Sequence, residues 1–145
     1  MKLLTVAVPC YNSQEYMHYS IQTLLAGGEE VEILIINDGS KDDTARIADQ
    51  YAAAYPTIIR AIHQENKGHG GAVNTGMANA TGKYFKVVDS DDWVDVRAYL
   101  KILEQLRRFE KNGEEVDVFI TNFVYEKEGA KTKKIMRYTS AFPEN

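Results

Sequence analysis

The sequence has little cysteine and proline, and it has no long apolar run. Its 145 residues include one cysteine, Cys10, and three prolines. A single cysteine excludes an internal disulfide and a cysteine-based metal site, and it is typical of a reducing compartment. Residues 1–10 lack the apolar core of a signal peptide, and no stretch provides the roughly 18 apolar residues of a transmembrane helix. We therefore expect a cytoplasmic location, either free or peripheral at the inner membrane face.

The chain also has no excess of basic residues over acidic ones. The chain carries 17 Lys and Arg against 21 Asp and Glu, a formal net charge of −4. This balance argues against a domain that binds nucleic acid by neutralising phosphates, so we expect no nucleic-acid partner. The length and the 44% hydrophobic content are typical of one globular domain with a buried core.

Apolar strands alternate with amphipathic helices along most of the chain. Capping boxes are predicted at Asn12 with Glu15 and at Ser40 with Asp43. This alternation predicts an α/β fold, a Rossmann-like and mostly parallel sheet flanked by helices on both faces. The predicted strands are 3–9, 31–36, 58–63, 84–88 and 116–125, with a short further strand at 133–138, and the helices lie between the first five.

Polar side chains follow four of these strands. Asn12, Asp38, Asn66 and Asp89 each come just after a strand ends. In parallel sheets, ligands bind beyond the carboxyl ends of the strands, near the point where the strand order reverses. The sequence therefore predicts one site at this edge of the sheet, without naming its ligand.

The densest group of acids is Asp89–Asp92, which holds three carboxylates in four residues. At about 4 Å, like charges repel by about 1 kcal/mol in water and several times more near a protein surface. Asp89 and Asp91 are two residues apart, so an extended segment would point both the same way. Hard oxygen ligands of this kind suit Mg²⁺ or Mn²⁺ shared with a substrate phosphate. The alternative is a solvated loop that caps the next helix.

Two other strand ends have both a binding and a structural interpretation. Tyr11 could stack on a planar base, or it could pack on the surface while Asn12 caps a helix. Asp38 could accept a hydrogen bond from a base or sugar, or it could form a simple turn with Gly39.

A glycine-rich loop, Asn66–Gly71, offers backbone N–H groups to an anion ahead of a helix. It matches neither the Walker A motif nor the dinucleotide fingerprint. Within it, His69 is a candidate phosphate contact or proton donor. Cys10 is interpreted as a small buried apolar residue. The basic stretch 127–137 could touch an acidic partner or a membrane surface, although a solvated tail is the favoured interpretation.

Taken in order, these segments resemble the family 2 glycosyltransferases with the GT-A fold. The resemblance covers residues 3–125 and is carried by four segments: Val8–Asn12, Asn37–Thr44, Asn66–Gly68 with Asn74–Gly76, and Gly82–Tyr84 leading to Asp89–Asp92. It implies a transferase that uses a nucleotide-sugar donor, usually a UDP-sugar, with Mn²⁺ or Mg²⁺. It also implies a role in cell-surface polysaccharide biosynthesis.

The resemblance also implies roles for individual residues. Pro9 and Tyr11 would line the uracil, Asp38 would hold its polar edge, and the loop 66–71 would lie along the nucleotide. Asp89 would face the ribose and, with Asp91, form the DXD motif that holds the metal. The implied nucleotide-sugar-binding set is Pro9, Tyr11, Asn12, Asp38, Asn66, Gly68, Gly70, Asp89 and Ser90.

The family inverts the sugar's anomeric centre in one displacement, which needs a general base. That base usually lies beyond the fifth strand, where this chain has Glu126, Glu128 and Glu144 but no convincing base motif. Because family members run well past 200 residues, we expect residues 1–125 to be the nucleotide-sugar-binding domain. Residues 126–145 would be a basic extension that begins a missing acceptor-side region.

The acceptor is then a hydroxyl of unknown identity, on a glycan or a lipid-linked glycan. One alternative is a module that binds nucleotide-sugar without turnover, because base and acceptor site are absent. Another is a flavodoxin- or receiver-like signalling domain. That class expects acids at the end of the first strand, where this chain has Pro9–Tyr11.

Overall fold

The computed structural model describes residues 2–117, 123–125 and 134–136. Strands and helices alternate through the first of these ranges, as predicted. None of the helices in the described part of the chain is long and apolar enough to cross a membrane. The elements are β1 (Leu4–Cys10), α1 (Met17–Leu25), β2 (Val31–Asp38), α2 (Thr44–Ala54), β3 (Ile59–Gln64), α3 (Gly68–Asn79), β4 (Tyr84–Val87) and α4 (Val96–Lys111).

The first four strands form one parallel sheet in the order β3-β2-β1-β4. β1 is paired on both sides, so that Val6 lies opposite Ile33 of β2 and opposite Lys86 of β4. The chain first builds outward from β1 to β3 and then returns to place β4 on the other side of β1. The strand order therefore reverses between β1 and β4, which is where such folds bind ligands.

Helices cover both faces of the sheet, as predicted. Ile33 and Ile35 of β2 belong to the larger core, with apolar residues of α1, α2 and α4. Leu34 and Ile36 point to the opposite face and pack with Ala72 of α3. This alternation follows from the two-residue period of a strand, and because both faces are covered, β2 is buried at every position.

The predicted capping box at Asn12 and Glu15 is wrong. α1 begins at Met17, and its N-cap residue Tyr16 makes no side-chain capping bond. Asn12 instead adopts a left-handed backbone with φ of 49°, a conformation that asparagine tolerates better than most residues. Its Oδ1 accepts a hydrogen bond from the Lys41 N–H at 2.8 Å, so Asn12 ties the loop after β1 to the loop after β2.

The second predicted capping box is also wrong. Asp43 is the N-cap residue of α2 but makes no side-chain capping bond. Asp42 takes that role, because its Oδ1 accepts from both the N–H and the hydroxyl of Thr44. The Ser40 hydroxyl accepts from the Asn12 N–H at 3.0 Å and therefore joins two loops.

The predicted fifth strand, 116–125, is only partly observed. Val116 and Asp117 are not in a strand, and residues 118–122 lie outside the described residues. β5 (Phe123–Tyr125) pairs antiparallel with β6 (Lys134–Met136), within the short strand predicted at 133–138. These two strands form their own two-stranded sheet. This pairing joins residues on both sides of the domain boundary predicted at 125, and that boundary stays a prediction.

Two glycines of α3 provide a matched test of packing. A Cβ on Gly76 would lie 2.7 Å from the Cβ of Ala7, whereas a Cβ on Gly70 meets nothing within 4 Å. We expect Gly76→Ala to lower the free energy of unfolding by about 1–3 kcal/mol, because it forces α3 away from β1. Gly70→Ala should raise it by up to about 1 kcal/mol, since alanine is the better helix former. Equal urea midpoints for the two variants would contradict this packing.

Candidate functional site

A cleft of about 580 Å³ opens at the carboxyl edge of the sheet, near the point where the strand order reverses. Its volume is within the range of roughly 300–1,000 Å³ that is typical of small-molecule sites. The end of β2, the loops after β1, β3 and β4, and the first turns of α3 all contribute. The lining residues are Pro9, Cys10, Tyr11, Asn12, Ser13, Tyr16, Asp38, Asn66, Gly68, His69, Ala72, Asp89, Ser90 and Asp91.

The cleft brings together all the predicted site residues except Gly70. Gly70 lies on the first turn of α3 and is not among the lining residues. Four lining residues were not predicted as site residues, namely Cys10, Ser13, Tyr16 and Ala72. Ser13 and Tyr16 belong to the turn between β1 and α1. Because this turn was interpreted as a capping box, neither residue was identified as part of the site.

Serine hydroxyls join the two sides of the cleft where β1 and β4 meet. The Ser13 and Ser90 hydroxyl oxygens lie 2.8 Å apart. The N–H of Ser13 donates to the Thr44 hydroxyl at 2.8 Å, which anchors this loop to α2. Ser90 therefore holds the acidic loop against the loop that carries Tyr11. The ring of Tyr11 is left 52% exposed at the cleft.

Asp38 is the buried carboxylate of the cleft, with 3% of its surface exposed. Its Oδ1 accepts from the Lys67 N–H at 2.7 Å and from Gln64 Nε2 at 2.9 Å. Its carbonyl oxygen accepts from Asn66 Nδ2 at 3.0 Å. A buried carboxylate needs such donors, and here they come from the end of β3 and from the loop that leads into α3. Asp38 thus shapes the glycine-rich loop as well as facing the cleft.

The acidic segment Asp89–Asp92 is a turn, so the predicted extended conformation is wrong. The N–H of Asp92 donates to the carbonyl oxygen of Asp89 at 2.9 Å, which folds the segment back on itself. One carboxylate oxygen from each of Asp89, Asp91 and Asp92 still lies within 4.8 Å of the others. Partial burial, followed by the charges of Asp91 and Asp89, raises the pKa of Asp92 above its ordinary value.

These acids do not cap the following helix, which was the alternative interpretation of the segment. Asp95 caps α4, because its Oδ1 accepts from the Ala98 N–H at 3.0 Å. Asp91 and Asp92 remain exposed to solvent. Three converging carboxylates without a capping role have the oxygen donors that a hard divalent cation prefers.

His69 reaches across the cleft to the acidic turn. Its Nε2 lies 2.7 Å from Oδ1 of Asp89. The two residues belong to α3 and to the loop after β4, and both side chains are partly exposed, at 62% and 46%. The pair links the glycine-rich side of the cleft to its acidic side.

Cys10 lies in the floor of the cleft, and its buried position was predicted. It is 1% exposed, and burial raises the pKa of its thiol to about 12. A thiol that stays protonated at neutral pH is a poor nucleophile, so the cleft does not use cysteine chemistry.

Comparison with known proteins gives a consistent result. The family model described as glycosyl transferase family 2 matches residues 5–143. The chain is 32% identical over 124 residues to the glycosyltransferase GlyG of Streptococcus pneumoniae. This match covers 84% of the chain and 39% of GlyG. It is 31% identical over 135 residues to the minor teichoic acid biosynthesis protein GgaA of Bacillus subtilis, covering 88% of the chain and 29% of GgaA.

Among solved structures, TarS of S. aureus resembles the chain with a TM-score of 0.65 and 25% identity. The match covers 76% of this chain and 32% of TarS residues 1–349, which were crystallised in complex with UDP-GlcNAc. The chain therefore spans well under half the length of these relatives.

The raised pKa of Cys10 predicts a pH dependence of stability. An unfolded thiol loses its proton at about pH 8.5, whereas the folded one keeps it to about pH 12. Between these values the unfolded chain binds fewer protons, so stability falls as pH rises. We expect Cys10→Ala to flatten the decline in unfolding free energy above pH 9 by about 1 kcal/mol per pH unit. Parallel declines for both proteins in urea titrations would show that Cys10 ionises normally.

Proposed function

The chain belongs to glycosyltransferase family 2, and from that membership we propose that its cleft binds a nucleotide-sugar donor, most simply a UDP-sugar. The observation that carries the proposal is the meeting of Tyr11, Asp38, Asp89 and Asp91 in one cleft. These residues come from the loop after β1, the end of β2 and the loop after β4, and they offer an aromatic face, a hydrogen-bond acceptor and a set of carboxylates. The UDP-GlcNAc complex of TarS, a structural relative, supports the same class of ligand.

The nucleoside would lie at the side of the cleft formed by the loop after β1 and the end of β2. Tyr11 and Pro9 present apolar surface to the base, since a half-exposed ring gains contact area when a flat group stacks on it. Among the described residues, the backbone N–H of Lys67 and the side-chain amide of Gln64 both donate to Oδ1 of Asp38. We assign Oδ2 to the imino N–H of the uracil.

The diphosphate would lie beside the acidic turn. Asp91, with Asp89, would hold a divalent cation, Mn²⁺ or Mg²⁺, and the three carboxylates within 4.8 Å fit such an ion by charge and donor type. When bound, the cation stabilises the charge that develops on the departing nucleoside diphosphate. The chain's own residues position the donor: Ser13 and Ser90 fix the acidic turn, and Asp38 fixes the glycine-rich loop.

The proposed reaction is an inverting transfer to a hydroxyl of a glycan or lipid-linked glycan, at the cytoplasmic face of the membrane. The name of GgaA, a teichoic acid biosynthesis protein, supports a role in cell-surface polysaccharide assembly. Such a transfer needs a base for the acceptor hydroxyl, and none of the described residues is assigned that role. A module that binds the donor without transfer is the second candidate. Release of the sugar from a UDP-sugar by this chain would exclude it.

Metal-dependent binding of UDP is the direct prediction. Calorimetry of the chain with UDP should show binding with Mn²⁺ present and at least tenfold weaker binding without it. Asp91→Asn should reduce the Mn²⁺-dependent affinity about tenfold or more, because it removes a charged ligand. The matched control is Glu15→Gln, which neutralises an exposed acid outside the lining residues and should leave affinity unchanged.

Thermal unfolding of the same proteins separates binding from folding. Asp91 is exposed, so Asp91→Asn should leave the melting temperature without ligand nearly unchanged. If Asp91→Asn unfolds the protein while the fraction that stays folded binds UDP normally, the acids stabilise the fold and do not bind the ligand. Absence of UDP binding by the wild-type chain at millimolar ligand would refute the proposed function.

A further inference from the structure

We propose that His69 is a positioning residue that orients the Asp89 carboxylate for the nucleotide and its cation. The inference rests on the proposed function, because it concerns a residue that would touch that ligand. The observation behind it is the 2.7 Å contact between His69 Nε2 and Asp89 Oδ1 across the cleft. An ionised carboxylate only accepts hydrogen bonds, so Nε2 carries the hydrogen and donates it.

The location of Asp89 explains why it needs an external support. It follows β4, which among the described residues is the last strand at its side of the sheet and is paired only with β1. The neighbouring carboxylates of Asp91 and Asp92 lie close enough to repel it. The bond from His69 fixes one oxygen of Asp89 and leaves the other oxygen to face the ligand.

The first turn of α3 is built so that His69 makes this contact. In the segment Gly68–Gly71, His69 is the only residue with a side chain. Gly68 has a φ of 79°, a conformation that favours glycine, and a Cβ on Gly70 would meet nothing within 4 Å. The imidazole therefore reaches the cleft with no side chain on either adjacent residue.

The exposure of the pair argues that the contact serves the ligand site more than stability. Both side chains are about half exposed, and an exposed pair contributes little to folding. By contrast, removing the hydrogen bond that supports a ligating carboxylate typically lowers metal affinity about 10–100-fold. His69 should therefore matter for binding while leaving the fold intact.

A double-mutant cycle tests whether His69 acts through Asp89. The affinity for UDP with Mn²⁺ is measured by calorimetry for the wild type, His69→Ala, Asp89→Ala and the double variant. We expect His69→Ala to weaken binding about tenfold, Asp89→Ala to weaken it at least as much, and the double variant to match Asp89→Ala alone. Asp89→Asn serves as a second variant at that position if Asp89→Ala lowers the melting temperature.

Two further variants test whether the hydrogen bond itself is responsible and whether the effect is specific to His69. His69→Gln can place an amide N–H near the position of Nε2 and should restore affinity to within about threefold of wild type. His18→Ala is the control, since His18 is an exposed histidine that bonds Tyr51 and does not line the cleft. It should leave binding unchanged. A direct phosphate contact predicts a different cycle, in which His69→Ala weakens binding equally with and without Asp89, and that result would overturn the proposal.

Failure of the proposed function gives a different pattern. If the wild type binds no UDP, the same four proteins are titrated with Mn²⁺ alone, and the free ion is followed by electron paramagnetic resonance. Loss of the ion in both His69→Ala and Asp89→Ala, without a further loss in the double variant, supports the positioning role. Equal Mn²⁺ binding by wild type and His69→Ala, or no Mn²⁺ binding at all, overturns it.

Discussion

The parallel pairing of β1 with both β2 and β4 is the interaction on which the rest of the structure depends. Because all four strands run the same way, the loops that follow them meet at one edge of the sheet. β1 itself is buried at every position, so this arrangement is fixed by the core. Tyr11, Asp38, His69 and Asp89 are far apart in sequence, and they share a cleft only because the strands hold them there.

The cleft is rich in acidic side chains. The chain has a formal net charge of −4, and the cleft contains three carboxylates of its own, in Asp38, Asp89 and Asp91. Asp38 is balanced by donors from the loop before α3, and Asp89 by His69. Asp91 faces solvent beside Asp92, whose pKa is raised by partial burial and by its neighbours. In the proposed function, a divalent cation would relieve this repulsion and allow an anionic diphosphate to approach.

The sequence predicted the sheet and the location of the cleft because both follow from regular patterns. The mostly apolar strand predicted at 31–36 is recognisable from its content, and the polar residues that follow such strands mark the edge. The capping boxes failed because Asn12 and Ser40 form hydrogen bonds between loops, which local spacing does not encode. The bond between His69 and Asp89 spans 20 residues, so only the folded chain reveals it.

The location of the cation tests the account most directly. Mn²⁺ is paramagnetic, so it broadens the NMR signals of nearby amides in a chain loaded with UDP. We predict that broadening is strongest at Asp89–Asp92, extends to His69, and is absent at Glu29 and Glu30, which precede β2 at the opposite edge of the sheet. Broadening centred on Glu29 and Glu30, or spread evenly over the exposed acids, would contradict a nucleotide and metal site in this cleft.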